Sequence, residues 1–78
     1  MTSSKLLSAV GVALYGEQWQ APLARALGVN RKNIQRWASG QYEPALGIWA
    51  DLAAIVDARR QALTKLATPL SEAATGVK

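Results

Sequence analysis

The 78-residue sequence contains no cysteine and no histidine. Without cysteine there is no disulfide framework and no thiol nucleophile, and a Cys/His zinc site or a triad built on histidine is excluded as well. The five acidic residues are scattered, and the glycines form no phosphate-binding loop. We therefore expect no enzyme, no catalytic residues, no cofactor and no metal site.

Long apolar runs are also missing. Residues 6–15 resemble the apolar stretch of a signal peptide, but Ser8 and Gly11 interrupt them and no clear cleavage site follows. No segment approaches the roughly 18 apolar residues that a membrane-spanning helix requires. We expect a soluble, cytoplasmic protein without a membrane partner.

Phenylalanine is absent too, and the apolar half of the composition consists mainly of 15 alanines and 10 leucines. These residues favour helices strongly, so the sequence predicts an all-α fold, a small bundle of four or five helices. The length suits one domain, and so small a domain buries only about 60 to 65% of its unfolded surface. A limited core that is assisted by a partner is therefore expected.

Glycine and proline divide the chain into four predicted helices, at about residues 4–15, 20–27, 30–39 and 45–67. The fourth carries an apolar stripe at helical spacing that Arg59 interrupts. Either one helix continues with the Arg59 stem along apolar surface, or the helix breaks near Asp57. Residues 68–78 are small and polar and include Pro69, so we expect a disordered tail there.

The net charge of +4 is confined to one part of the chain. Residues 1–17 and residues 43–78 each sum to zero, whereas residues 18–42 hold no acid and four cations, namely Arg25, Arg31, Lys32 and Arg36. A local excess of this kind is typical of a surface that binds a polyanion.

The same window predicts two short helices that cross at a steep angle. Ala24 permits close approach, and Gly28 permits a reversal with positive φ. Ile34 and Trp37 share one face of the second helix, which we expect to be buried. The opposite face carries residues that can all donate hydrogen bonds to DNA: Lys32, Gln35, Arg36 and Ser39.

This pattern resembles the helix-turn-helix of the lambda-repressor-like (Cro/repressor) family. The matching positions are the small Ala24, the turn Gly28, the opening Gln20, the closing Arg36-Trp37 with Gly40, and the apolar Leu23, Leu27, Val29, Ile34 and Trp37. The motif covers about 20 residues, with a looser likeness to about residue 67. Pro22, which removes an N–H, and Gly47 depart from the pattern.

The resemblance implies that residues 30–39 lie in the major groove of double-stranded DNA and that Gln20 contacts the backbone. The candidate DNA-binding residues are Gln20, Arg25, Arg31, Lys32, Asn33, Gln35, Arg36 and Ser39. In the following loop, Gln41 and Tyr42 are either phosphate contacts or ordinary exposed residues. Residues 1–67 would form the DNA-binding domain, ending in a dimerisation helix.

We thus expect a bacterial or phage transcriptional regulator, a repressor that acts as a homodimer through its C-terminal helix. Leu63 and Leu66 would be uncovered in one copy and buried by pairing, unless a break near Asp57 folds them back in a five-helix monomer. The rival hypothesis is a helical interaction module, antitoxin-like or an assembly protein, whose basic helix docks an acidic protein surface. The amides of Asn33 and Gln35 favour DNA, because amides read base edges.

Overall fold

The computed structural model describes residues 2–76, which form four α-helices and no β-strand. The helices are α1 (Ser3–Tyr15), α2 (Gln20–Leu27), α3 (Arg31–Ala38) and α4 (Leu46–Thr75). The predicted all-α class is confirmed. Within these residues, none of the helices combines the length and apolar character that crossing a membrane requires.

The connection between α2 and α3 follows from two residues. Gly28 adopts the left-handed conformation with φ of 69°, which lets the chain turn directly after α2. Asn30 then caps α3, because its side-chain oxygen accepts a hydrogen bond of 2.8 Å from the Lys32 backbone N–H. The connection between the two helices therefore takes only residues 28–30, and Gly28 and Asn30 act there as the helix end and the N-cap that the sequence predicts.

The core lies where α1, α2 and α3 meet beneath the first turns of α4. Leu7, Leu23 and Ile34 are fully buried, and the other buried residues of the core cluster are Trp19, Ala24 and Leu52. The helix α3 packs against both α1 and α2. Gly11 is essential to this packing, because a Cβ atom at that position would overlap the indole ring of Trp19.

The helix α4 is continuous over 30 residues, so the chain does not break near Asp57. Leu52 is buried and Ile55 is half-buried, whereas every residue from 56 to 76 is exposed. We call residues 2–55 the body and residues 56–76 the projecting half. The described chain extends 52 Å along its long axis and only 24 and 22 Å across it.

The disordered tail predicted from residue 68 is wrong for residues 68–75, because α4 continues to Thr75 and ends at Gly76, whose φ is 75°. Pro69 removes one N–H from the helix, but the next turn contains Leu70, Glu72 and Ala73, which favour helix. The prediction gave the proline too much weight. Val77 and Lys78 lie outside the described residues.

Arg59 links the projecting half to the body. Its Nη1 donates a hydrogen bond of 3.1 Å to the carbonyl of Leu14, and its guanidinium lies 5.6 Å from the centre of the Tyr15 ring. A cation is stabilised there because the last carbonyls of a helix lack intrahelical partners and carry the negative end of the helix dipole. The charge that interrupts the apolar stripe thus caps the end of α1.

Candidate nucleic-acid interface

The helix α3 presents two opposite faces. Ile34 is fully buried and Trp37 is half-buried against the core, while Lys32, Gln35 and Arg36 are exposed. The core contacts of Ile34 and Trp37 fix the rotation of the helix about its axis. That rotation determines which side chains face outward, and it agrees with the rotation predicted from the sequence.

An open polar depression of about 450 Å³ lies on the outward face of α3. It is lined by Lys32, Gln35, Arg36, Ser39 and Gln41. Four of the eight predicted site residues are thus brought together, in a surface that combines two cations with two amides and a hydroxyl. Such a surface donates many hydrogen bonds and carries no negative charge.

The loop after α3 is folded back onto the end of the helix. The backbone N–H groups of Gln41 and Tyr42 both donate to the carbonyl of Arg36, at 3.0 and 3.4 Å, after Gly40 has turned with φ of 83°. The Ser39 hydroxyl donates to the same carbonyl at 3.0 Å and accepts a 3.4 Å bond from the Gln41 N–H. Ser39 therefore holds the loop in place, and Gln41 joins the outward surface.

Tyr42 stands beside this surface. Its side chain is 56% exposed, and the guanidinium carbon of Arg36 lies 5.9 Å from the centre of its ring. The contact with the ring favours this position of the Arg36 guanidinium, and the Tyr42 hydroxyl is a further hydrogen-bond donor. The sequence did not decide whether Gln41 and Tyr42 are phosphate contacts or ordinary exposed residues. The Ser39-Gly40 pair signals a helix end, but the path of the loop after it depends on the fold.

Gln20 and Arg31 line a second polar depression of about 320 Å³ together with Glu17, Gln18 and Ala21. This depression combines the first residue of α2 with the first residue of α3, so two helix starts face the same side. The Glu17 carboxylate reduces the positive potential there. Arg25 is exposed and Asn33 is half-buried, and neither lines either depression.

The cations of the basic window are available to an external anion. Arg25, Arg31, Lys32 and Arg36 are all exposed. Within residues 2–76, the salt bridge that forms joins Arg60 to Asp57 in the projecting half and involves none of these four cations. No group of three or more Asp, Glu, His or Cys side chains among the described residues is arranged to hold a metal ion. The site therefore offers positive charge and hydrogen-bond donors rather than metal ligands.

Comparison with protein-family models, curated proteins and solved structures finds no match to this chain.

Proposed function

We propose that the chain is a sequence-specific, double-stranded DNA-binding regulator, a repressor of the lambda-repressor-like type. In this proposal α2 and α3 form a helix-turn-helix, and α3 is the helix that enters the major groove. The protein binds DNA without catalysing a reaction.

The observation that carries this proposal is the depression on the outward face of α3. Lys32 and Arg36 supply charge there, and Gln35 supplies an amide, opposite the buried Ile34. Arginine and lysine pair with guanine and glutamine pairs with adenine in the major groove. An acidic protein partner, which is the rival hypothesis, requires only the cations, so the amide favours DNA.

The size of α3 also suits the major groove. An α-helix with its side chains is about 10 to 12 Å in diameter, and the major groove is about 12 Å wide, so the short α3 can lie in it. In this arrangement the outer residues contact the phosphates on both sides of the groove. Those residues are Gln20 and Arg31 at the helix starts, Arg25 on α2, and Gln41 and Tyr42 in the loop.

A single α3 helix makes few base contacts, and tight specific binding requires more. We propose that two copies pair through α4, so that two α3 helices read two half-sites about 34 Å apart. The exposed Leu63 and Leu66 support this pairing, because apolar side chains on a projecting helix are stabilised when a second copy covers them.

The experiment that tests this proposal is the selection of bound sequences from a pool of random duplexes. We expect enrichment of an inverted repeat, because twofold symmetry in the protein requires it in the site. Affinity for the selected duplex should fall with salt, with a log-log slope of about 0.9 for each phosphate neutralised. A pool without enrichment, together with equal affinity for all duplexes, would contradict the proposal and favour the protein-docking rival.

A further inference from the structure

The chain exposes more surface than a compact protein of its mass. Its accessible surface is 5614 Å² for 8.3 kDa, whereas a compact monomer of this mass exposes roughly 4,600 Å². Its radius of gyration is 15.4 Å, against about 11.5 Å for a compact domain of this length. The excess of roughly 1,000 Å² is close to the approximately 800 Å² that each partner contributes to a stable interface.

Part of this excess lies on a regular apolar pattern along α4. Residues alternately three and four apart form a coiled-coil repeat: Trp49, Leu52, Val56, Arg59, Leu63, Leu66, Leu70 and Ala73. The first two pack in the body. Beyond them, Leu63, Leu66 and Leu70 are 60, 59 and 69% exposed, and we call these three residues the leucine stripe.

An apolar groove runs between α1 and α4 on the body. This α1–α4 groove has a volume of about 370 Å³ and is lined mainly by Leu6, Val10, Trp49, Leu52, Ala53 and Val56. It continues past Val56 into a second apolar depression, of about 510 Å³, that reaches Leu63. Leu6 is 42% exposed in it. Leu66 and Leu70 line neither depression, and they cannot fold back onto the groove of their own copy because α4 is unbroken.

We propose that the occupant of the α1–α4 groove is the leucine stripe of a second copy, docked antiparallel. The inference rests on the proposed homodimer and specifies its interface. In this orientation the repeat pairs Val56 of one copy with Leu66 of the second copy. It also brings Leu70 of the second copy beside Leu6 and Val10 of the first. Each copy supplies one stripe and one groove, so a twofold pair fills both grooves. Arg59 does not obstruct the contact, because its guanidinium is directed to the Leu14 carbonyl.

A parallel arrangement of the two α4 helices would produce different contacts. It would place each leucine of the stripe against the same leucine of the other copy, and both grooves would stay open. The groove residues of α1 thus distinguish the two orientations. In the antiparallel pair α1 is part of the interface, and in the parallel pair it is not.

Disulfide cross-linking tests the orientation directly, because the native chain has no cysteine and each introduced thiol is unique. We expect a Leu6→Cys chain mixed with a Leu70→Cys chain to form the mixed disulfide under mild oxidation. The control replaces Leu6→Cys with Val12→Cys, since Val12 is 49% exposed on α1 but does not line the groove. Equal yields from Leu6→Cys and Val12→Cys, or efficient cross-linking of Leu70→Cys to itself, would overturn the inference.

Sedimentation equilibrium of the full chain provides a second measurement. We expect Leu6→Glu to weaken self-association at least tenfold and Val12→Glu to leave it unchanged, with circular dichroism confirming that both are folded. If Leu63→Glu with Leu66→Glu abolishes the dimer but Leu6→Glu has no effect, the groove is not part of the interface and the inference fails while the homodimer stands. A wild-type chain that stays monomeric at high concentration would overturn both, and the duplex selection would still test DNA binding.

Discussion

The body and the projecting half contain the same kinds of residue in different surroundings. In the body, Leu7, Leu23 and Ile34 are fully buried because three helices converge on them. In the projecting half, Leu63, Leu66 and Leu70 lie on an equally regular helix and remain 60, 59 and 69% exposed, although Leu63 borders a depression that Ala13 and Leu14 also line. The difference shows that burial is decided by what lies opposite a helix face, and the exposed leucines support the proposed pairing of α4 with a second copy.

The two regions also differ in whether their charged side chains have partners. In the projecting half, two of the three described cations have partners: Arg60 is bonded to Asp57, and Arg59 caps α1. In the body, the basic side chains of residues 18–42 are exposed and form no salt bridge with a described residue. The body therefore exposes unpaired positive charge, which the proposal assigns to DNA, and the projecting half exposes apolar surface, which the proposal assigns to a second copy.

The largest expected effect is a difference in the free energy of unfolding between matched apolar truncations in the two regions. We expect Ile34→Ala to destabilise the protein by about 2 to 5 kcal/mol, because it leaves a cavity in a fully buried site. Leu66→Ala should cost less than about 0.5 kcal/mol at protein concentrations too low for pairing. Urea denaturation measures both, and similar losses for the two variants would show that the division into body and projecting half is mistaken.

A smaller effect tests the contact between Arg59 and the end of α1, which connects the two regions. Arg59→Ala removes the bond to the Leu14 carbonyl and the contact with the Tyr15 ring, so we expect a loss of about 1 kcal/mol of unfolding free energy. The matched control is Arg60→Ala, whose partner Asp57 lies on the same exposed helix, and its effect should stay within about 0.5 kcal/mol. Thermal denaturation of both variants makes the comparison, and an equal shift for the two would mean that Arg59 does not anchor α4 to α1.

The sequence predicted those features that depend on local chemistry. Gly28 and Asn30 mark the turn before α3, and the spacing of Ile34 and Trp37 gives the outward face. Features that depend on distant residues were not predictable. Arg59 and Leu14 are 45 positions apart, and the α1–α4 groove exists only once those helices are placed side by side. The helix beyond Pro69 was missed because proline usually ends a helix, whereas here the flanking residues sustain it.

The outward face of α3 is the centre of this account, and the most direct measurement is the affinity of Gln35→Ala and Arg36→Ala for the duplex selected by the wild type. Fluorescence anisotropy should show a loss of roughly 1 to 3 kcal/mol for each base contact removed, with circular dichroism unchanged. Lys65→Ala, which removes an exposed cation from the projecting half, should bind like the wild type. If Gln35→Ala and Arg36→Ala also bind like the wild type, α3 does not read DNA and the central claim is wrong.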